Sequence, residues 1–339
     1  MAQGPFLRID VPLPGPGEGE PIFIDYAGTG PVARLVTGAR ADAMPAMIGR
    51  LFAICVEAQQ LACRLALAAA QNLEIDGAEL ETARQGVSLE AVRETGLHIL
   101  LGWPALLGES PDHAAAAALL AATRGAGDAG ALEKVLARAV FGCSPGQWLA
   151  EQTGGGATLR WAFAGAPPAA RLLARAIDAS EVPPHPAPAP GSPVERCAAQ
   201  VFVAQLDPGS LAAHHAARLF ELARLAAPYI AGMPHAAFLA ARSHAPGHGR
   251  AEIACARGTL VHEVEVADGR IARCEMCSPT DVAFAPYGPG RMWLQTVADG
   301  TLSWPCEQRE AVMREVVAAI DPCMEYRLTF AALAKQGAL

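Results

Sequence analysis

Apolar positions recur at helical spacing over most of this chain and alternate at strand spacing over one stretch only. From about 44 to 73 they fall at Met47, Leu51, Ile54, Cys55, Ala58 and Leu61, the stripe of a single amphipathic helix. A second helical run covers about 88 to 107. Ser110-Pro111 and Ser144-Pro145 each read as an N-cap with proline at the first helical position, opening two more helices. The alanine-rich run at 114–122 is a strong helix former. Residues 210 to about 241 are helical with a break near Pro228 and Pro234, and 307–320 form a closing amphipathic helix stopped by Asp321-Pro322. Within 252–277 the pattern changes: Thr259-Leu-Val-His-Glu-Val-Glu-Val alternates, and Asp268-Gly269 is a tight hairpin signal. Residues 1–43 read as loop-rich, with Pro12, Pro14, Pro16 and Pro21 leading to a short strand at 22–26. The fold class expected is mainly α with a small β-hairpin element (α+β), without internal repeats.

The chain has 339 residues, enough for one large domain or two ordinary ones. We read a single domain over 1–339, with the proline-rich segment 181–193, EVPPHPAPAPGSP, as a linker or surface excursion within it. A net charge of −8 and no run of lysine or arginine make nucleic acid and anionic membrane poor partners. The first residues, MAQGPFLRID, lack the basic and apolar regions of a secretory signal. The longest charge-free apolar stretch, between Arg224 and Arg242, is too short for a bilayer span and is interrupted by Pro228, Gly232 and Pro234. Nine scattered cysteines read as reduced thiols of a cytoplasmic protein.

Candidate chemistry concentrates in two fragments, Arg50-Leu-Phe-Ala-Ile-Cys55 and Asp321-Pro-Cys323-Met-Glu-Tyr326. Each holds one cysteine with an aromatic residue, Phe52 or Tyr326, three positions away. Residues i and i+3 share a helix face, so a Cys-x-x-Cys pair there grips one metal, and here each pair is halved. Taken singly, Cys55 is a buried small hydrophobe, Asp321-Pro322-Cys323 a helix stop, and Arg257-Gly258 a strand-to-turn junction. Cys274-x-x-Cys277 lies in a predicted strand, where i and i+3 face opposite ways, so strand packing is its default role. His214, His215, His244 and His248 read as exposed helix and loop histidines. Cys255 stands two residues before Arg257, and its strand parity leaves its facing open.

Three blocks, in order, resemble degenerate forms of motifs in the large subunit of nickel–iron hydrogenases. The family's Arg-x-Cys-Gly-x-Cys-x-x-x-His is matched by Arg50 and Cys55, with Phe52, Ala53 and Gln59 in place of the first cysteine, the glycine and the histidine. Its Pro-Arg-Gly-x-Leu-x-His is matched by Arg257-Gly258-Thr-Leu260-Val-His262, with Ala256 for proline, followed by Pro279-Thr280. Its Asp-Pro-Cys-x-x-Cys-x-x-His is matched by Asp321, Pro322 and Cys323, with Tyr326 and Thr329 for the second cysteine and the histidine. The family's proton-relay glutamate element is vestigial in Arg34-Leu35-Val36. Loss of the final histidine removes the usual end-processing position, so cleavage of the tail to Leu339 is not expected.

The resemblance implies a large-subunit-like helical core, with Cys55 and Cys323 as metal ligands. It places Arg257 and Thr280 on the cyanides, and Leu260 beside the carbon monoxide, of an Fe(CN)2(CO) unit. That unit is anionic, which suits a fixed guanidinium, a hydroxyl donor and an apolar wall. Nickel needs all four thiolates, so no nickel is expected. The selective loss is similar to the HupK/HoxV-type accessory proteins encoded with hydrogenases. It implies a non-catalytic maturation scaffold that holds or assembles the iron unit in passing for the precursor, and works with the chaperones that carry iron and with the large-subunit precursor. The alternative is a metal-free interaction protein that stabilises the precursor.

Overall fold

The computed structural model describes residues 6–12, 21–185, 188–233 and 239–331. Pro14, Pro16, Pro234 and the tail to Leu339 lie outside the described residues, as do Pro186 and Ala187 of the proline-rich segment. Among the described residues, no helix is long and apolar enough to cross a membrane.

Helices dominate. The strands are β1 (Leu7–Pro12), β2 (Phe23–Tyr26), β3 (Leu239–Ala245), β4 (His248–Cys255), β5 (Gly258–Ala267), β6 (Arg270–Cys277) and β7 (Tyr326–Ala331). The last third of the chain thus supplies a four-stranded antiparallel meander, β3-β4-β5-β6, larger than the single hairpin read from the sequence. Asp268 and Gly269 both take positive φ (50° and 71°), as a two-residue hairpin of this hand requires. A second sheet, β2-β1-β7, pairs β7 parallel to β1, with Leu7 opposite Tyr326 and Asp10 opposite Thr329. Neither β1 nor β7 was expected. Both are short and flanked by polar or loop-forming residues, and each becomes a strand because the other lies beside it.

The expected helix over 44–73 is two helices, Met44–Leu51 and Val56–Gln71. They break at Phe52–Cys55 because Cys55 is left-handed (φ 56°), so Phe52 and Cys55 do not share a helix face as the spacing argument assumed. The break is held from outside: Glu90 and Glu94, on the helix Gly77–Leu97, accept the free N–H groups of Cys55, Glu57 and Ala58 at 2.6–3.0 Å. Those two carboxylates cap the positive end of the Val56–Gln71 helix. Asp112, not Ser110, caps His113–Ala122 by accepting from Ala115 N at 2.9 Å. Ser144 caps Pro145–Glu151 as expected, accepting from Gln147 N. The long helix Leu211–Ile230 is capped by Ser210 and carries Pro228 in its last turn.

Three apolar clusters form the core. One surrounds Trp103, Trp148 and Phe220 among the central helices. A second lies between the Val56–Gln71 helix and the four-stranded sheet. The third joins β1 to the helices Pro289–Gly300 and Cys306–Ile320. In the proline-rich segment, Pro183 O accepts from Trp293 Nε1 (3.0 Å) and His185 N donates to Gly209 O (2.7 Å). His215 is fully buried against Glu315 (3.3 Å), and His214 is largely buried beside Trp293. The exposed reading of that pair is therefore corrected: the helix Leu211–Ile230 is central and packs on almost every face.

Candidate functional site

The site forms where the ends of several elements converge on one guanidinium. Cys255 ends β4 and pairs with Gly258 at the start of β5, leaving Ala256 and Arg257 as the turn. That tip carries Arg257 against the break before the Val56–Gln71 helix. Arg257 Nη1 lies 3.7 Å from Cys55 Sγ and also pairs with Glu94. Its Nε lies 3.1 Å from Asp321 Oδ2. Asp321 is the left-handed residue (φ 57°) that closes the Cys306–Ile320 helix. It is also 3.1 Å from Arg218 Nη1, while His98 Nδ1 lies 3.2 Å from its other oxygen. Burial pushes the Asp321 carboxyl up, but Arg257, His98 and Arg218 outweigh it and hold it below the usual range.

Both candidate thiols lie within the electrostatic reach of this guanidinium. Cys55 Sγ donates to Glu94 Oε2 at 3.1 Å. Cys323 accepts from Thr280 Oγ1 at 3.0 Å, and Cys323 N donates back to the same oxygen. Burial raises the Cys323 thiol, opposed by the Thr280 hydroxyl and Arg257. Thr280 is buried at the start of a short helix, Pro279–Phe284, whose cap Ser278 forms a reciprocal pair with Asp281. Leu260 is buried in β5 opposite Ile253, within the same apolar cluster as Cys55 and Cys255. A cleft of about 930 Å³ opens onto Arg257, Glu94, His98 and Asp321, with Ala53, Ile54 and Tyr326 on its walls. Cys55, Cys323 and Leu260 are not among its lining residues.

Cys274 is buried toward the Val56–Gln71 helix while Cys277 is partly exposed, the opposite facing expected along a strand. His262 Nε2 lies 2.6 Å from Gln59 Oε1, linking two positions of the first and middle blocks.

No protein-family model matches the chain. The hydrogenase expression/formation protein HupK of Azotobacter vinelandii is 31% identical over 334 residues, covering 88% of this chain and 90% of that relative. This chain belongs to the HupK family. The HupK of Rhizobium leguminosarum bv. viciae is 28% identical over 342 residues, covering 88% of this chain and 89% of the relative. Among solved structures, an NAD+-reducing [NiFe]-hydrogenase aligns with TM-score 0.56 at 15% identity, over 90% of this chain and 92% of that one. The Ni-Fe-Se hydrogenase of D. vulgaris Hildenborough aligns with TM-score 0.51 at 13% identity, over 91% and 94%. At those identities the likeness establishes a hydrogenase-like fold.

In this HupK-family chain, sequence reasoning missed Glu90, Glu94, His98 and Arg218. One signal was available: two carboxylates at i, i+4 among the apolar positions of one helix oppose each other unless something compensates. Burial and Glu94 raise the Glu90 carboxyl to about 7 against the Ala58 and Glu57 N–H groups. Burial lowers His262 to about 3 and His214 well below its usual value. A histidine lowered on folding contributes stability that is complete above its unfolded value of 6.5 and is lost on acidification below it. Each of these two should remove about 1.4 kcal/mol per pH unit below that point. Glu90 works the other way, favouring the fold as pH falls from about 7 to 4.5, but one group does not offset two. The melting temperature is therefore expected to drop from pH 6.5 to 5, with a shallower drop for His262→Gln; a flat profile in thermal denaturation would refute this account.

Proposed function

We propose that this chain is a non-catalytic maturation scaffold for nickel–iron hydrogenase, holding the Fe(CN)2(CO) unit as cargo before its transfer to the large-subunit precursor in the cytoplasm. The observation that carries this reading is the arrangement around Arg257: a fixed cation beside Cys55, with Cys323 within its electrostatic reach. Thiolates bind the iron, and the guanidinium offsets the negative charge that two thiolates and two cyanides bring. Thr280 holds Cys323 in place and offers a hydroxyl donor beside it, and Leu260 supplies apolar wall behind the hairpin tip. Phe52 is half-buried and Tyr326 stands on the cleft wall, each where a further nickel thiolate would be by the family pattern. Partners consistent with this role are the chaperones that carry the iron unit and the precursor that receives it.

A second reading, a metal-free protein that stabilises the precursor, draws on the apolar surface around the cleft. Ile54, Tyr326 and Leu120 are 39%, 40% and 44% exposed there, unusual for large apolar side chains and suited to a protein partner. Anaerobic purification from cells carrying the maturation genes separates the two. The scaffold reading expects cyanide and carbonyl infrared bands and bound iron, both lost in Cys55→Ala or Cys323→Ala. A metal-free protein whose Cys55→Ala/Cys323→Ala form still supports maturation would leave the second reading alone.

A further inference from the structure

Cys255 and Cys55 are far apart in sequence yet meet at the tip of the β4–β5 hairpin. The tip is pinned on both sides. Cys255 Sγ donates to Gly258 O at 3.3 Å, and Arg196 Nη2 donates to Cys255 O at 3.0 Å. Arg196 is itself held by Glu221 on the Leu211–Ile230 helix. Across from it, Cys55 is fixed by its left-handed backbone and by two contacts with Glu94. Both thiols are buried, Cys55 at 8% and Cys255 at 5% exposure, and they belong to one cluster. They are near enough to perturb each other: Cys255 and burial raise the Cys55 thiol, while Cys55 lowers the Cys255 thiol against its burial. Arg257, two residues from Cys255, completes the group at 3.7 Å from Cys55 Sγ.

Resting on the scaffold reading, we propose that Cys255 is a ligand of the cargo iron, and that Cys55 and Cys255 take up the metal as a thiolate pair. Phe52 removes the thiol that a Cys-x-x-Cys pair would set beside Cys55; the hairpin brings another from the opposite side. Uptake is ligand exchange without redox change. Each thiol loses its proton and forms one Fe–S bond while one bond from the iron to its carrier breaks, and the two protons pass to the departing carrier ligands or to solvent. Glu94 already accepts the Cys55 proton in a hydrogen bond and stands on the cleft wall, from which the proton reaches solvent. Among the described residues, no group of three or more His, Cys, Asp or Glu is arranged to hold a metal ion. The pair suits a metal that arrives with ligands of its own: iron carrying two cyanides and one carbon monoxide reaches five-coordination with two thiolates. Cys323, held by Thr280, is then a third thiol available to the open sixth position of the iron.

Phenylarsine oxide tests the pairing directly, because it condenses with two thiols in mutual reach, forming two As–S bonds and releasing one water. Treated without oxygen, the full-length reduced protein should gain one arsenical bridging the peptides that contain Cys55 and Cys255. Cys255→Ser should lose that bridge and Cys323→Ser should keep it. Protein purified from cells carrying the maturation genes should then show cyanide and carbonyl bands that disappear in Cys255→Ser and in Cys255→Ala, with melting curves confirming that both variants fold. A bridge that omits Cys255 would overturn the pairing even in the unmutated protein. Full bands in Cys255→Ser, alongside their loss in Cys55→Ser, would overturn the role of Cys255 while leaving the scaffold intact. Absence of bands from the unmutated protein would overturn the scaffold reading and this ligand assignment with it.

Discussion

Arg257→Met is expected to cost about 3–5 kcal/mol of folding stability, the range for breaking a buried ion pair by removing one partner. The reason is what the substitution leaves behind. Glu94 and Asp321 have side chains only 9% and 7% exposed, and both face the Arg257 guanidinium. Asp321 keeps Arg218 at 3.1 Å and His98 at 3.2 Å, but among the described residues Glu94 keeps only the Cys55 N–H and thiol. A methionine of similar length fills the space without replacing the charge. Lysine should recover little, because one ammonium does not span two carboxylates as a planar guanidinium does. Chemical denaturation measures the loss, and adding Glu94→Gln to Arg257→Met should return part of it. A loss below about 1 kcal/mol, the scale of a surface pair, would show that this cluster is solvated rather than buried.

Gly249→Val should damage the site from a distance. A Cβ at Gly249 would lie 1.9 Å from Ala66 O and 2.5 Å from Ala70 N, both backbone atoms of the Val56–Gln71 helix. Backbone cannot rotate away as a side chain can, so β4 and the helix must separate. Even Gly249→Ala should reach the upper end of the about 1–3 kcal/mol typical of overpacking, and valine should exceed it. The effect reaches the chemistry because β4 runs from His248 to Cys255 and ends at the Arg257 turn, while the helix begins just after Cys55. Pushing one from the other moves Arg257 away from Cys55. Thermal denaturation and the rate of Cys55 modification by a thiol reagent read the two consequences. An alanine variant within about 0.5 kcal/mol of the parent, as neutral as an ordinary surface change, would mean the sheet does not ride on this contact.

Much of the helical architecture was legible because its apolar spacing is regular. The 307–320 helix, the Ser144 cap and the Asp268-Gly269 turn emerged where local chemistry predicts them. The error at Phe52–Cys55 came from extending a continuous apolar stripe through a residue that the tertiary structure holds left-handed. The N-terminus of the Val56–Gln71 helix has no cap in its own sequence; its cap is supplied by Glu90 and Glu94, more than thirty residues later. Strand β7 was missed for a related reason, since six residues after a helix stop become a strand only when β1 is there to pair.

The candidate site divides in the same way. Arg257, Cys55, Cys323 and Thr280 could be named from the sequence, because motif blocks preserve residue types even when half their members are replaced. Which thiol touches which could not. That Cys255 meets Cys55 depends on a hairpin whose register places Ala256 and Arg257 at the turn, and on a helix packed closely enough at Gly249 to carry that turn inward. The partners of Arg257 likewise come from three separate segments, at Cys55, Glu94 and Asp321. Local sequence determined the side chains and most of the helices that carry them. Only the tertiary structure decided their mutual distances, because the charge pairing and burial that set those distances join segments with no sequence relation to one another.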